Sequence, residues 1–337
     1  MAAGPPHGAG MTMVATTVDA LRMAGAMSAA LWIALLVDHA LGEPPARWHP
    51  VVWIGHYLGW VGRHIAPLGL STARAAPFLG GALAWCVGAA VVGGVALGIE
   101  RALWMLPFWA TALGLGLLLK PLLAWRMLRT EVLAVEAALG VSLEAGRAQL
   151  ARLVSRDVSQ LSEAEVRESA LESLAENLND SVVAPIFWFL LLGLPGAAVY
   201  RFANTADAMW GYLGLRQGRD WTWAGKWTAR ADDALSWAPA RITALLLQGL
   251  VRTPDWRVLR REARRTPSPN SGWPMAAMAL RLGVRLGKPG VYVLNAEARL
   301  PRSGDMPRAA RCGGHAVRAA VALATLAFFL GAWAARG

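Results

Sequence analysis

The chain has 337 residues, 55% of them hydrophobic and 16% charged, with 17 tryptophans and a mean hydropathy of +0.38. That balance argues against an ordinary soluble domain and favours one sizeable membrane domain, because indole rings settle at lipid–water boundaries. The formal charge of +11 is nearly all arginine; it flanks apolar runs and forms no nucleic-acid motif, so it implies loops held on the cytoplasmic side and membrane lipid as a partner, with no nucleic acid.

Residues 1–22 are rich in small residues and read as a flexible N-terminus. Met23–Val37 is an uncharged run of 15 residues, expected to be a retained membrane helix and not a signal peptide, since only Arg22 supplies a positive flank. The motif-bearing loop 38–74 follows, opening with Asp38, Glu43 and His49 among prolines. Ala75–Ile99 and Ala102–Leu119 are uncharged runs of 25 and 18 residues, long enough to cross a bilayer. Glu100-Arg101 between them predicts a tight hairpin there. Membrane helices thus occupy 23–119. Cys86, in an apolar run, and Cys312 offer neither a disulfide framework nor a metal pattern.

Lys120–Asp180 has soluble character and reads as a helical cytoplasmic segment punctuated by Gly140. Ser162 and Glu165 form a capping box that starts a helix near Glu163. That helix carries Glu168, Glu172, Glu176 and Asp180 one turn apart on one face. Like charges at this spacing repel. Either water screens them on a solvated face, or a cation compensates them. Mg²⁺ suits such oxygen ligands and usually bridges to substrate phosphates. Asn177 adds a neutral donor.

Ser181–Tyr200 is a 20-residue uncharged run interrupted by Pro185 and Leu194-Pro195-Gly196. A full span would leave Asn204 and Asp207 opposite the carboxylate ladder, so a broken or re-entrant segment lining a polar cavity is expected. Arg201, Asn204, Thr205 and Asp207 follow, then Arg230, Asp232, Asp233 and Arg241. Interleaved acids and arginines serve either internal salt bridges or a polyanion site. Ala234–Val251 carries Pro239 and Arg241 and reads as a broken or interfacial helix, so 181–251 forms one site-bearing region. The basic segment 252–318 has thirteen Lys and Arg against four acids over Arg252–Arg311, which places it in the cytoplasm. Within it, Thr266–Pro274 is a rigid turn feeding a helix N-terminus, able to present N–H groups to an anion. A further apolar run, Ala319–Ala335, forms the C-terminal membrane helix of 319–337. No P-loop, GxSxG or HExxH is present.

Five blocks in order resemble the adenosylcobinamide-phosphate synthases, the CobD/CbiB membrane proteins of cobalamin biosynthesis. They are D-x3-G-[DE]-P-P-x4-H-P at 38–50, E-S-x2-E-N-x2-D-S-V-V-A-P at 172–185, N-T-x-D-A-M at 204–209, R-x-D-D-x5-P-A-R at 230–241 and S-P-N-x-G-W-P at 268–274. Thr266 stands where the family often has His, and Met275 where it often has Glu. The resemblance implies an all-α, multi-pass membrane protein with broken or re-entrant helices, in the bacterial inner membrane with its site facing the cytoplasm. It implies an ATP-dependent ligase joining adenosylcobyric acid to aminopropanol or aminopropanol phosphate, with Mg²⁺ on the polyphosphate. From residue type, Glu172, Glu176, Asp180, Asp207, Asp232 and Asp233 are the candidate catalytic groups, and Glu176, Asp180, Asp207 and Asp233 the metal ligands. Asn177, Asn204, Arg230, Arg241, Ser268, Asn270, Ser271, Gly272 and His49 are candidates for substrate or phosphate contacts. A homo-oligomer or an association with other corrinoid-pathway enzymes is compatible with this reading. The rivals are a non-catalytic sensor of the same superfamily, against which the retained blocks argue, and a transporter of an anionic solute, which an intramembrane arginine and broken helices would suit.

Overall fold

The computed structural model describes residues 7–249 and 255–335. Residues 1–6 of the expected flexible leader, and 250–254 at the start of the basic segment, lie outside the described residues. Helix α1 begins at His7 and runs to Leu41, so most of the leader is helical. The first membrane helix is therefore longer than its uncharged run.

α2 (Pro50–Ile65), α3 (Ala75–Trp104) and α4 (Phe108–Leu119) follow. α3 exposes Leu79, Leu83, Val87, Val91 and Val95, an apolar row at every fourth residue. In water such a row would face a core; here it faces outward, as lipid requires. The α3–α4 turn is Met105–Pro107, not the expected Glu100-Arg101. Glu100 stays inside α3 because its carboxylate has work there: Oε2 accepts the Leu194 N–H at 2.6 Å. Among the described residues, five helical stretches are long and apolar enough to cross a membrane: Val18–Leu41, Ala75–Trp104, Phe108–Leu139, Glu163–Trp210 and Asp305–Ala334.

α5 (Trp125–Leu139) ends at Gly140, as expected, and α6 (Leu143–Leu150) packs back on it. α7 (Glu163–Leu178) begins with the reciprocal Ser162–Glu165 capping box. A π-helical turn, Asn179–Val183, leads into α8 (Ala184–Trp210), which is broken at Gly193 (φ 67°, ψ −155°). That left-handed backbone favours glycine. The two arms fold back on each other so closely that a Cβ on Gly196 would lie 2.4 Å from the Trp188 carbonyl oxygen. The Arg201 guanidinium donates to Ser181 Oγ at 2.9 Å, so the ends of the hairpin meet. The expected break in this run is present, at Gly193, and the two arms form an antiparallel hairpin whose first arm continues α7 through the π turn. Pro185 lies in the first turn of α8, where a missing N–H costs little.

α9 (Lys226–Gln248) is continuous through Pro239, so the expected break is absent. Proline deprives the Leu235 carbonyl of its helical donor. The Trp188 indole N–H fills that vacancy at 3.1 Å. α10 (Trp256–Ala263), α11 (Gly272–Leu282) and α12 (Asp305–Ala334) complete the helices. Two small antiparallel hairpins are the only paired strands among the described residues: β1 (Leu215–Arg216) with β2 (Arg219–Asp220), and β3 (Leu286–Lys288) with β4 (Tyr292–Leu294). The continuous core joins α1, α4, α5, α7, α8, α9, α11 and α12.

Candidate functional site

The hairpin in α8 determines the site. Because its arms reverse at Gly193, the end of α7 and the second arm of α8 present their polar residues to each other. Asp180 Oδ1 accepts from Asn179 Nδ2 at 2.7 Å and from the Tyr200 hydroxyl at 3.5 Å. Tyr200 also meets Ser236 Oγ on α9 at 3.0 Å, which pins the third wall. Asn204 stands between Asp180 and Asp232, within hydrogen-bonding reach of both, and accepts from Arg201 at 3.4 Å.

Asp180, Asp207, Asp232 and Asp233 are thus electrostatic neighbours, drawn from α7–α8 and from α9. Burial pushes the Asp232 carboxyl well above the usual range, and the charges of Asp180, Asp207 and Asp233 push it further. Its Oδ1 is buried without a hydrogen-bond partner. Burial also raises Asp233, which Arg230 partly offsets. Asp207 packs its carboxylate beside Gly211, where a Cβ would lie 2.0 Å from Oδ1. An unpaired carboxylate in a half-dry site is costly. Hard, oxygen-preferring cations relieve that cost, and Asp180, Asp207, Asp232 and Asp233 supply suitable donors. Among the described residues, however, no three His, Cys, Asp or Glu already stand close enough to form a coordination shell. Side chains would have to turn inward around an ion.

The ladder on α7 is not one unit. Glu168 is paired with Arg285 at 3.1 Å and Glu172 with Arg156 at 3.5 Å. Glu172 therefore belongs with Arg156, away from the aspartates. Glu176 lies between the two groups, feeling Asp180 and Asp207 on one side and Glu172 and Lys288 on the other. Asn177 donates to the Ser173 carbonyl at 2.9 Å and lines a small cavity with Glu172 and Glu176.

The 266–274 turn backs onto Asp233. Asn270 Nδ2 donates to the Asp233 carbonyl at 2.7 Å. Arg241 donates to Asn270 Oδ1 at 2.6 Å and to the Pro269 carbonyl at 3.1 Å, with its guanidinium against the Trp237 and Trp273 rings. Arg241 therefore braces the turn, which explains a cation in an apolar stretch. The Asn270 and Ser271 N–H groups, expected to face an anion, both donate to Ser268 Oγ, at 3.2 and 3.1 Å. Gly272 is held at 2.1 Å, measured from its would-be Cβ, against the Ala263 carbonyl oxygen, so its role is close packing. Thr266 donates to the Ser268 carbonyl at 3.0 Å and Met275 Sδ accepts from Tyr292 at 3.7 Å.

His49 has a different place. Its Nδ1 accepts the Val51 N–H at 3.3 Å, and Nε2 lies 3.1 Å from Glu43. Lys120 bridges Glu43 at 2.9 Å and Asp38 at 3.3 Å. His49 is thus a helix cap and a member of this network, and its side chain is committed. A cavity of about 890 Å³ opens beside this network. Its walls include Val87, Val91 and Val95 of the outward-facing row on α3, so it lies at bilayer level.

Arg156, Lys288 and Tyr292 were missed from sequence. They reach the ladder from over 100 residues away or from an irregular loop, and no spacing rule finds such partners.

The family model described as CobD/Cbib protein matches residues 31–324. A relative from Methanothermobacter thermautotrophicus, named probable cobalamin biosynthesis protein CobD, is 42% identical over 278 residues, covering 78% of this chain and 85% of its own. The Rhodobacter capsulatus cobalamin biosynthesis protein CobD is 38% identical over 303 residues, covering 83% and 91%. The Brucella anthropi protein of the same name is 39% identical over 277 residues, covering 78% and 82%. No solved structure matches the chain.

Proposed function

This chain belongs to the CobD/CbiB family, and on that premise we propose that it acts in cobalamin biosynthesis as a membrane-bound, ATP-dependent amide ligase. It would join the free propionate of adenosylcobyric acid to aminopropanol or aminopropanol phosphate, at the cytoplasmic face of the inner membrane. The observation that carries the reading is the convergence of Asp180, Asp207, Asp232 and Asp233 at the mouth of the hairpin, with Asp232 Oδ1 buried and unpartnered.

The chemistry runs in two displacements. A propionate oxygen attacks the γ-phosphorus of ATP; that P–O bond forms as the bond to ADP breaks. The amine then attacks the acyl carbon; the C–N bond forms and the C–O bond breaks, with inorganic phosphate leaving with the electron pair. The nucleophile must be the free amine, so an ammonium proton must be lost. Such transfers depend on positioning and charge neutralisation more than on covalent help from the protein.

Mg²⁺ held by the four aspartates would neutralise the polyphosphate. Arg230, exposed beside Asp233, adds positive charge at the rim. Glu176, between the aspartates and the polar cavity, would take the ammonium proton. Arg241 and Asn270 fix the backbone behind Asp233.

The test is reconstitution. Purified protein in nanodiscs, given adenosylcobyric acid, the amine and Mg-ATP, is expected to release ADP, phosphate and a new amide in equal amounts. ADP release without the amide, or neither product, would overturn the reading.

A further inference from the structure

A cavity of about 490 Å³ lies where α9, α10 and the 266–269 turn meet. Three guanidinium groups line it, those of Arg241, Arg260 and Arg264, together with the indoles of Trp237, Trp256 and Trp273. Among the described residues no acid lines it.

α10 sorts its arginines by face. Arg261 and Arg265 pair with the buried Glu262 at 3.4 and 3.1 Å. Asp255 is committed to the Arg257 and Val258 N–H groups. Arg260 and Arg264 stand one turn apart on the cavity side, exposed, and neither has an ion pair among the described residues. Like charges at that spacing repel. Arg241 adds a third cation across the cavity, and its N–H groups reach only uncharged oxygens, of Trp237, Pro269 and Asn270. Three cations around a space without a counter-charge call for an anion.

The indoles narrow the kind of anion. The Arg241 guanidinium lies 4.7 and 4.8 Å from the Trp237 and Trp273 ring centroids, and Trp256 packs on Trp273 at 5.0 Å. Ring faces turned to Arg241 and to each other are not open for a base. On the outside, Trp237 and Trp256 are 60% and 41% exposed, Leu245 is exposed two turns along α9, and the neighbouring α8 hairpin exposes Leu191 and Leu192. Half-exposed indoles, arginines and an apolar flank occur together at a lipid–water boundary. Leu259 and Ala263 are buried, so α10 docks on the protein by its apolar side and turns its arginines outward.

We infer that this cavity binds the phosphodiester headgroup of an anionic phospholipid. Arg260 and Arg264 hold the phosphate with Arg241 behind it, and the acyl chains run over Trp237 and Leu245. Basic pockets beside membrane helices take such headgroups. Arg241 also donates to Asn270 Oδ1, and Asn270 to the Asp233 carbonyl, so the lipid bears on the backbone behind the aspartates.

The experiment is native mass spectrometry of the full chain in detergent, titrated with phosphatidylglycerol and with phosphatidylcholine. One phosphatidylglycerol should bind, at least about fivefold more tightly than phosphatidylcholine. Arg260→Gln and Arg264→Gln should each weaken it about fivefold, and Arg260→Lys should keep most of the affinity. Arg257→Gln removes the same charge from the same helix outside the cavity and should leave binding unchanged. Thermal unfolding without lipid should be alike in all four variants, since each position is exposed. Equal binding of the two lipids, or a loss in Arg257→Gln as large as in Arg260→Gln, would overturn the site in favour of diffuse attraction. Displacement of bound phosphatidylglycerol by inorganic phosphate or Mg-ATP would overturn it in favour of a soluble anion.

Discussion

Two buried carboxylate networks lie near each other in this molecule and differ in one respect. In the first, Asp38, Glu43, Lys120 and His49 join the end of α1 to the start of α5, and each acid has an opposite charge or N–H beside it. Burial of Glu43 works against ionisation, yet the His49 and Lys120 contacts hold its carboxyl below the usual range. In the second, Asp180, Asp207, Asp232 and Asp233 repel one another with only Arg201 and Arg230 near them, and burial with that repulsion drives Asp232 the other way. Acids matched by opposite charge hold a fold together; acids that outnumber their cations are tolerated where something else arrives to compensate them. Both motifs recur in the family-like blocks, so sequence alone gives them equal weight. The geometry separates them.

The largest expected effect breaks the second network. Asp207→Ala or Asp232→Asn should lower kcat by about 10³-fold, roughly 4 kcal/mol of lost transition-state stabilisation, while Asp232→Asn raises the Tm of the unliganded protein by a few degrees. A Tm that falls instead would mean that Asp232 is structural. Next in size is Lys120→Met, which strands two buried acids and should destabilise by about 3–5 kcal/mol. Adding Glu43→Gln should recover part of that, as read by thermal unfolding in nanodiscs. Gly193→Ala should cost about 2 kcal/mol: φ is positive there, and the new methyl would lie 2.5 Å from Glu100 Oε2. Loss of protease protection at the hairpin would report it.

The smallest effect is pH-dependent. The folded protein holds protons on Asp232 and Asp233 above the ordinary carboxylate pKa, where the unfolded chain has released them. Proton uptake is then greater in the fold, so stability without metal falls as pH rises from about 4 upward. Divalent metal competes with those protons, so the Tm gained from added Mg²⁺ should grow with pH. A gain that is flat between pH 5 and pH 8, or that appears equally in Asp207→Ala, would contradict this.

Much of the fold could be read from the sequence, because it rests on local rules. The capping box at Ser162, the stop at Gly140 and the break in 181–200 all follow from residues a few positions apart. The departures have equally physical causes. Pro239 fails to break α9 because Trp188, 47 positions away by hydrogen-bond partner Leu235, supplies the missing donor. Glu100 stays helical because Leu194 needs an acceptor. The site was legible in its acids and not in their division. Glu168 and Glu172 share the spacing of Glu176 and Asp180, and only Arg285 and Arg156 assign them elsewhere. The turn at Ser268 shows the same limit: residue types suited to an anion are used by the turn itself.

The reversal at Gly193 also fixes the direction of the chain. An antiparallel hairpin brings Arg201 back beside Ser181, so the chain after Trp210 sets out from the same end of the helical bundle as α7. The Asn270–Asp233 bond then ties the arginine-rich stretch to that same side. Charge bias in the C-terminal third and the sidedness of the aspartates are therefore one fact, and locating either with a reporter fusion locates both.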